Sequence, residues 1–222
     1  MPAMRAVRRN STVGVPHSEV SVGDIVGVLL GAGSSRRLGR PKQTLPLGDT
    51  TVLGWTLRDA EASSLDRVVL VLGGTADQPP PLARAEVVPN AAYGTGCASS
   101  LLAGLDAAGD VDAIVMLLGD MPGVDAPVID AVVSAWRAAP TWAAVTEYAD
   151  GLGHPFVFSA AAFPTLRGLH GDKAVWKIVD HEPADRVRRI RVDRPLPRDI
   201  DTWADYETVR ARLSGPAAEQ RQ

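Results

Sequence analysis

The residues best suited to chemistry in this sequence come directly after apolar runs. Following Val26–Leu30 the chain reads GAGSSRRLGRPKQ, from Gly31 to Gln43, in which glycines and serines precede the cations Arg36 and Lys42. Glycines adopt backbone angles closed to other residues and expose N–H groups, so such a loop beside cations favours phosphate binding. The alternative is a tight strand-to-helix turn next to a solvated basic surface. The dinucleotide fingerprint GxGxxG fails because Arg36 stands where its third glycine belongs, and the Walker pattern is absent too.

A carboxylate follows the most apolar run in the chain. Asp120 belongs to the segment GDMP, directly after AIVMLL, and is placed to hold a cation, although it could equally form a turn or a helix cap. The later segment DIDT could supply a second carboxylate, but Asp201 or Thr202 could equally cap the helix that begins at Trp203. Phosphate-binding and acidic segments at neighbouring strand ends indicate a nucleotide with Mg²⁺, which commonly uses one or two protein carboxylates plus phosphate oxygens.

Two further polar segments are candidates for ligand contacts. NAAYGTGCASSL places glycines and hydroxyls before a helix, where they could bind a polar ligand or serve as ordinary first-turn residues. His154, His170 and Asp172 are predicted in loops that could form an acceptor pocket, without convincing zinc-ligand spacing. Cys97 has no basic partner in the sequence and is more simply a small buried residue than a nucleophile.

Composition narrows the class of protein. The chain has 222 residues, 45% of them hydrophobic, with a net charge of −3, which argues against general nucleic-acid binding. A single cysteine excludes an intramolecular disulfide, and there is neither a secretory signal nor an apolar run long enough for a membrane span, so we expect a cytoplasmic protein. We predict one domain over residues 25–213, with disordered tails at 1–24 and 214–222.

Strand-like and helix-like segments alternate along the chain. This alternation predicts an α/β fold built from βαβ units with a largely parallel sheet, whose ligands bind beyond the carboxyl ends of the strands. Strands are predicted at 26–30, 68–72, 86–88, 113–118, 142–146, 156–159 and 187–192, and helices at 51–63, 97–108, 127–138, 174–179 and 203–213.

The order of these motifs resembles a known family. The segments LLGAGSSRRLGRPKQ, NAAYGTGCASSL, GDMP, GHPFVF, GDK and DIDT are similar, over residues 25 to about 210, to the molybdenum cofactor cytidylyltransferases of the MobA-like nucleotidyltransferase superfamily. The resemblance implies a three-layer α/β/α, Rossmann-like fold with a mostly parallel sheet. It also implies a Mg²⁺-dependent transfer of CMP from CTP to the terminal phosphate of molybdopterin, in the service of a xanthine dehydrogenase-class molybdoenzyme.

The resemblance also implies roles for individual residues. Arg36, Lys42 and Asp120 would be catalytic, and Asp120 with Asp201 would hold Mg²⁺. His154 and Asp172 would face the molybdopterin acceptor. The residues expected to bind the nucleotide are Gly31, Ala32, Gly33, Ser34, Arg36, Lys42, Asn90, Gly96, Ser99 and Asp120.

One departure from the family leaves alternatives open. The family often continues with a Gly-Ala-Arg run after the position of Asp172, where this chain reads Lys173-Ala174-Val175, and that segment should touch the acceptor. The alternatives are a guanylyltransferase, a transferase for another phosphorylated acceptor, an NAD(P)H-dependent oxidoreductase of the nicotine blue type, and a protein that carries the cofactor without chemistry.

Overall fold

The computed structural model describes residues 23–33, 38–73, 79–171 and 174–213. Its centre is a seven-stranded sheet in the order β5-β4-β1-β6-β8-β7-β9, and β2 with β3 forms a separate hairpin. The strands are β1 Ile25–Leu30, β2 Pro46–Leu47, β3 Thr50–Thr51, β4 Arg67–Gly73, β5 Glu86–Asn90, β6 Ala113–Leu118, β7 Ala143–Tyr148, β8 Gly151–Ser159 and β9 Val187–Arg191.

The sheet is mostly parallel, as the alternation predicts. Strands β5, β4, β1 and β6 run in parallel register, and β7 pairs with β9 in parallel, whereas β8 runs antiparallel to both of its neighbours. β1 and β6 are apolar along their length because both faces of the sheet are covered by helices. As a result, the loops after β1, β4, β5 and β6 lie along one edge of the sheet.

Helices cover the two faces and complete three layers. One buried cluster joins the sheet to α1 and α3, and a second joins its other face to α2, α4 and α5. A third, smaller cluster packs α6 against the β2–β3 hairpin and Leu38. The helices are α1 Val52–Ala62, α2 Cys97–Ala108, α3 Ala126–Ala138, α4 Phe163–Arg167, α5 Ala174–His181 and α6 Trp203–Leu213.

Most predicted elements agree with the structure to within two residues, and β8 is the principal exception. It extends from Gly151 to Ser159, so His154 lies inside a buried strand and not in the predicted loop. The strand was predicted too short because glycine and proline in the sequence GLGHPFVFS are typical of loops. The β2–β3 hairpin and α4 were also missed, because two-residue strands and a five-residue helix carry almost no periodic signal.

Two remaining expectations concern the ends of the chain and membranes. Nearly all of the predicted N-terminal tail and the whole predicted C-terminal tail, residues 1–22 and 214–222, lie outside the described residues. Within the described ranges, every helix is too short or too polar to cross a bilayer.

Candidate active site at the carboxyl edge of the sheet

The first residue of the glycine-rich loop continues the sheet. The Gly31 N–H donates a hydrogen bond of 2.8 Å to the Val71 carbonyl, so it is not available for the nucleotide as the sequence suggested. Gly31 has no positive φ, and an added Cβ would lie 3.0 Å from a Leu72 methyl and 3.2 Å from Leu53, so these leucines would have to shift slightly to accept a larger residue. Its role is close packing between the end of β1 and α1.

Gly33 is held by a residue that the sequence interpretation did not single out. The Gln43 side chain is 5% exposed and donates from Nε2 to the Gly33 carbonyl at 3.0 Å. A Cβ on Gly33 would lie 2.9 Å from that nitrogen, so a larger residue here would displace the Gln43 amide. The position of Gln43, next to Lys42 in a short 3₁₀ turn at Lys42–Thr44, was the available signal. Ser34 and Arg36, also assigned to this loop, lie outside the described residues.

Lys42 joins the two carboxylates predicted to hold a cation. Its ammonium contacts Asp120 Oδ2 and lies 3.0 Å from Asp201 Oδ1, in a setting where the Lys42 side chain is 11% exposed. Burial lowers the pKa of Lys42, but the attraction of Asp120 and Asp201 outweighs it, so the pKa lies above its ordinary value. Lys42 is therefore a fixed positive charge at the carboxyl edge of the sheet.

The GDMP loop is joined to the end of β1 and to the DIDT segment by backbone bonds. The Gly119 N–H donates to Leu30 at 3.0 Å, and the Ile200 N–H donates to the Asp120 carbonyl at 3.1 Å. The second bond brings Asp199 close to Asp120. Burial, followed by the negative charges of Asp120 and Asp201, raises the pKa of Asp199. A third acidic residue at this edge was not predicted, although it stands two positions before Asp201.

The structure decides between the two readings of the DIDT segment. Thr202 begins α6 with a reciprocal cap, in which its N–H donates to Asp205 Oδ2 at 2.9 Å and the Asp205 N–H donates to Thr202 Oγ1 at 3.2 Å. Thr202 is therefore the residue that caps α6, and the Asp201 carboxylate accepts a hydrogen bond from Lys42.

The start of α2 is organised by Asn90 at the end of β5. Asn90 is 6% exposed, and its side-chain amide donates to the hydroxyls of Ser99 and Ser100 at 3.0 Å each, while its oxygen accepts from the Ala92 N–H at 2.9 Å. Gly96, which precedes the helix, has φ of 119° and ψ of 169°, a conformation essentially confined to glycine. Asn90, Gly96 and Ser99 thus form one loop beside β4, on the same edge as Lys42.

His154 is buried against aromatic rings under the other end of this edge. Its ring stacks edge-to-face on Phe156 at 4.5 Å and approaches Trp176 at 6.3 Å, and it is hydrogen-bonded to the Met116 backbone. Nδ1 has no hydrogen-bond partner within the described part of the chain. Burial lowers the pKa of His154 to about 4, so the ring is neutral at physiological pH. Asp172, the other expected acceptor contact, lies outside the described residues.

The residues present fit a divalent cation. Asp120 and Asp201 converge on one point, which the Lys42 ammonium occupies as a stand-in cation, and carboxylate oxygens are the ligands that Mg²⁺ and Mn²⁺ prefer. Across the described ranges, no three His, Cys, Asp or Glu side chains are arranged around one metal position. A cation held here by Asp120 and Asp201 would bind phosphate oxygens as well as the two carboxylates.

A comparison with protein-family models identifies the domain that contains most of these residues. Residues 27–187 match the model of the MobA-like NTP transferase domain, a span that includes the glycine-rich loop, Lys42, Asn90, Asp120 and His154. Asp201 lies beyond the matched residues.

Known proteins resemble the chain over most of its length. It is 31% identical to the purine catabolism protein PucB of Bacillus subtilis, over 86% of this chain and 98% of that protein. It is also 31% identical to nicotine blue oxidoreductase of Paenarthrobacter nicotinovorans, over 72% of this chain and 83% of that one. The crystal structure of Rv0371C of Mycobacterium tuberculosis in complex with manganese is 39% identical, with a TM-score of 0.70, and covers 85% of this chain and 98% of that chain.

Proposed function

The chain belongs to the MobA-like NTP transferase family and is a nucleotidyltransferase, and we propose that it transfers CMP from CTP to the terminal phosphate of molybdopterin. The observation that carries the proposal is the contact of Lys42 with both Asp120 and Asp201 at the edge where the glycine-rich loop ends. This arrangement places one cation and two potential metal ligands beside a loop suited to phosphates.

The metal proposed for the reaction is Mg²⁺, held by Asp120 and Asp201. The manganese complex of the Mycobacterium tuberculosis relative supports a divalent cation in this family. When bound, the ion would polarise the phosphates of the nucleotide and neutralise charge that develops on the leaving pyrophosphate. Lys42 cannot occupy the same point, so its ammonium would turn toward the phosphate chain.

The reaction proposed is a single in-line displacement. An oxygen of the terminal phosphate of molybdopterin forms a bond to the α-phosphorus of CTP, and the bond from that phosphorus to the bridging oxygen of the β-phosphate breaks. Pyrophosphate leaves with the electron pair, and no general base is needed because the attacking phosphate is already anionic. The chain's contribution is therefore positioning and charge, with Lys42 and Arg36 opposing the repulsion between anions.

The remaining nucleotide contacts are proposed on either side of Lys42. Backbone groups of Ala32 and Gly33 would approach the phosphates, with Ser34 beside them, while Gly31 positions the loop by packing. The loop that Asn90 organises, with Gly96 and Ser99, would receive the base and ribose. Asn90 acts there through the serines, since its amide nitrogen already donates to both of them.

The acceptor is proposed to lie over His154 and Asp172. His154 would support this site from beneath, because its ring is neutral, buried and packed against Phe156 and Trp176. The name of the Bacillus relative, a purine catabolism protein, supports a xanthine dehydrogenase-class client, because xanthine is a purine. We place these steps in the cytoplasm.

One competing function is favoured by a specific observation. The relative from Paenarthrobacter nicotinovorans is named an oxidoreductase, and it matches 72% of this chain. An NAD(P)H-dependent reaction would consume NAD(P)H without releasing pyrophosphate. Guanylyl transfer, or transfer to another phosphorylated acceptor, would retain pyrophosphate release and change only the substrate.

The decisive experiment measures pyrophosphate release with molybdenum cofactor, Mg²⁺ and each of CTP, GTP, ATP and UTP. We expect release with CTP, and a loss of at least about 100-fold in kcat for Asp120→Ala, the scale of removing one preorganised electrostatic contact. Circular dichroism of the variant verifies that it is folded. Release with GTP instead would replace the proposed nucleotide, and NAD(P)H oxidation without pyrophosphate release would replace the proposed reaction.

A further inference from the structure

A cavity lies on the α3 and α6 side of the sheet edge. It has a volume of about 570 Å³, within the range typical of small-molecule sites, and is formed by the start of α3, the segment 194–198 and the last turns of α6. Lys42, Asp120 and Asp201 are not among the residues that line it. The cavity is therefore separate from the proposed nucleotide site.

The cavity is cationic, although the whole chain carries a net charge of −3. Three arginines line it, Arg194, Arg198 and Arg212, against the single carboxylate of Asp125. Arg194 donates to Asp125 at 2.6 Å, and this bond raises the pKa of Arg194. A guanidinium has five N–H donors, so this pairing leaves donors for a ligand.

The other two arginines, Arg198 and Arg212, are weakly paired or unpaired with carboxylates among the described residues. Arg198 is 62% exposed and reaches Asp205 at 3.2 Å, but that carboxylate is already engaged by Thr202 in the cap of α6. Among the described residues, Arg212 has no carboxylate partner. The positive charge of the cavity is thus only partly neutralised by the protein.

Between the arginines the wall is apolar. Leu196, Leu213 and Pro195 line it, with the buried side chains of Val128, Val209 and Tyr148 behind them. The Tyr148 hydroxyl already donates to the His154 carbonyl, so it is not available as a donor to a ligand. An inorganic anion would leave this apolar surface in contact with water.

We propose that this cavity binds a small organic anion that has an apolar body and one terminal carboxylate, sulfonate or phosphate group. The anionic group pairs with Arg212 and Arg198, and the body lies against Leu196, Leu213 and Pro195. The site abuts the GDMP loop, since a Cβ on Gly123 would lie 2.9 Å from Pro197.

The test uses 8-anilinonaphthalene-1-sulfonate, an apolar anion whose fluorescence rises when it binds. We expect saturable binding to the full chain with one site, and binding of the neutral analogue N-phenyl-1-naphthylamine that is at least about tenfold weaker. Arg212→Gln removes a charge-assisted hydrogen bond and should weaken sulfonate binding by about tenfold or more. Arg198→Gln should weaken it as well.

Two matched variants separate this site from others. Arg210→Gln removes a cation from the same helix but outside the cavity, and Lys42→Met removes the cation of the nucleotide site; both should retain wild-type affinity for the probe. Equal affinity in wild type, Arg212→Gln and Arg198→Gln would overturn the proposal. Weakening by Lys42→Met alone would assign the probe to the nucleotide site and also overturn it. Thermal denaturation of each variant confirms that it is folded, and none of the measurements depends on turnover.

Discussion

Replacing Lys42 by methionine tests whether its ammonium neutralises the carboxylates of the active site. The Lys42 and Asp120 side chains are 11% and 16% exposed, whereas Asp201 is 44% exposed. Removing one partner of a buried ion pair costs about 3–5 kcal/mol, while an exposed pair contributes about 0–1 kcal/mol. Because one of the two contacts is partly solvated, we expect Lys42→Met to lower the free energy of unfolding by about 2–3 kcal/mol. For a chain of this size that corresponds to a fall in Tm of roughly 5–10 °C.

A divalent cation should reverse this loss. In wild type, an ion entering between Asp120 and Asp201 must displace the ammonium, whereas in Lys42→Met it finds two unneutralised carboxylates. The stabilisation by Mn²⁺ should therefore be larger in the variant, and an ion at one hundred times its Kd contributes about 2.7 kcal/mol. The assay is urea or thermal unfolding in EDTA and in a series of MnCl₂ concentrations.

The matched control is Arg58→Met, which breaks an exposed ion pair with Asp49. The side chains of Arg58 and Asp49 are 50% and 76% exposed, so Arg58→Met should lower the free energy of unfolding by less than about 1 kcal/mol. It should not change the stabilisation by Mn²⁺. If Lys42→Met in EDTA is as stable as wild type, Lys42 does not neutralise these carboxylates. If Mn²⁺ stabilises the variant no more than wild type, the ammonium and the metal do not share a position.

Three further predictions concern the rest of the site. Burial lowers the folded-state pKa of His154 to about 4, so the wild-type free energy of unfolding should fall by about 3 kcal/mol as the pH drops from about 6.5 toward 4. In His154→Gln this fall should be absent. Urea titrations from pH 7 to 4 measure this loss, which should persist in the control variant His170→Gln, where the ring is exposed. Gly96→Ala should destabilise the protein by about 1–3 kcal/mol because φ is 119° there, whereas Gly94→Ala, with no atom within 4 Å of the added Cβ, should be nearly neutral in the same unfolding assay. Asn90→Ala should raise KM for CTP more than it lowers kcat, because it loosens the loop at the start of α2, and an unchanged KM in steady-state kinetics would contradict that placement.

Local sequence signals predicted the framework of the site well. The bounds of β6, α2 and α6 agree with the prediction because their apolar patterns are long and end at polar or glycine residues. Parallel strands share one edge, so the rule that ligands bind beyond their carboxyl ends was enough to associate Lys42 with Asp120 from the sequence. The family, the three-layer fold and the transferase class were likewise accessible from the motifs and their order, and the comparisons confirm them.

The tertiary structure alone decided how individual residues are used. Whether Asp201 or Thr202 caps α6 depends on which side chain reaches Asp205 and which reaches Lys42, 159 positions away along the chain. The same applies to Gly31, whose N–H is taken by Val71, and to His154, which a short glycine- and proline-containing segment carries into the core as part of β8. Sequence patterns report periodicity and backbone preference over a few residues. Hydrogen-bond partners, burial and the pKa shifts that follow from them are set by groups that the fold brings together from distant parts of the chain.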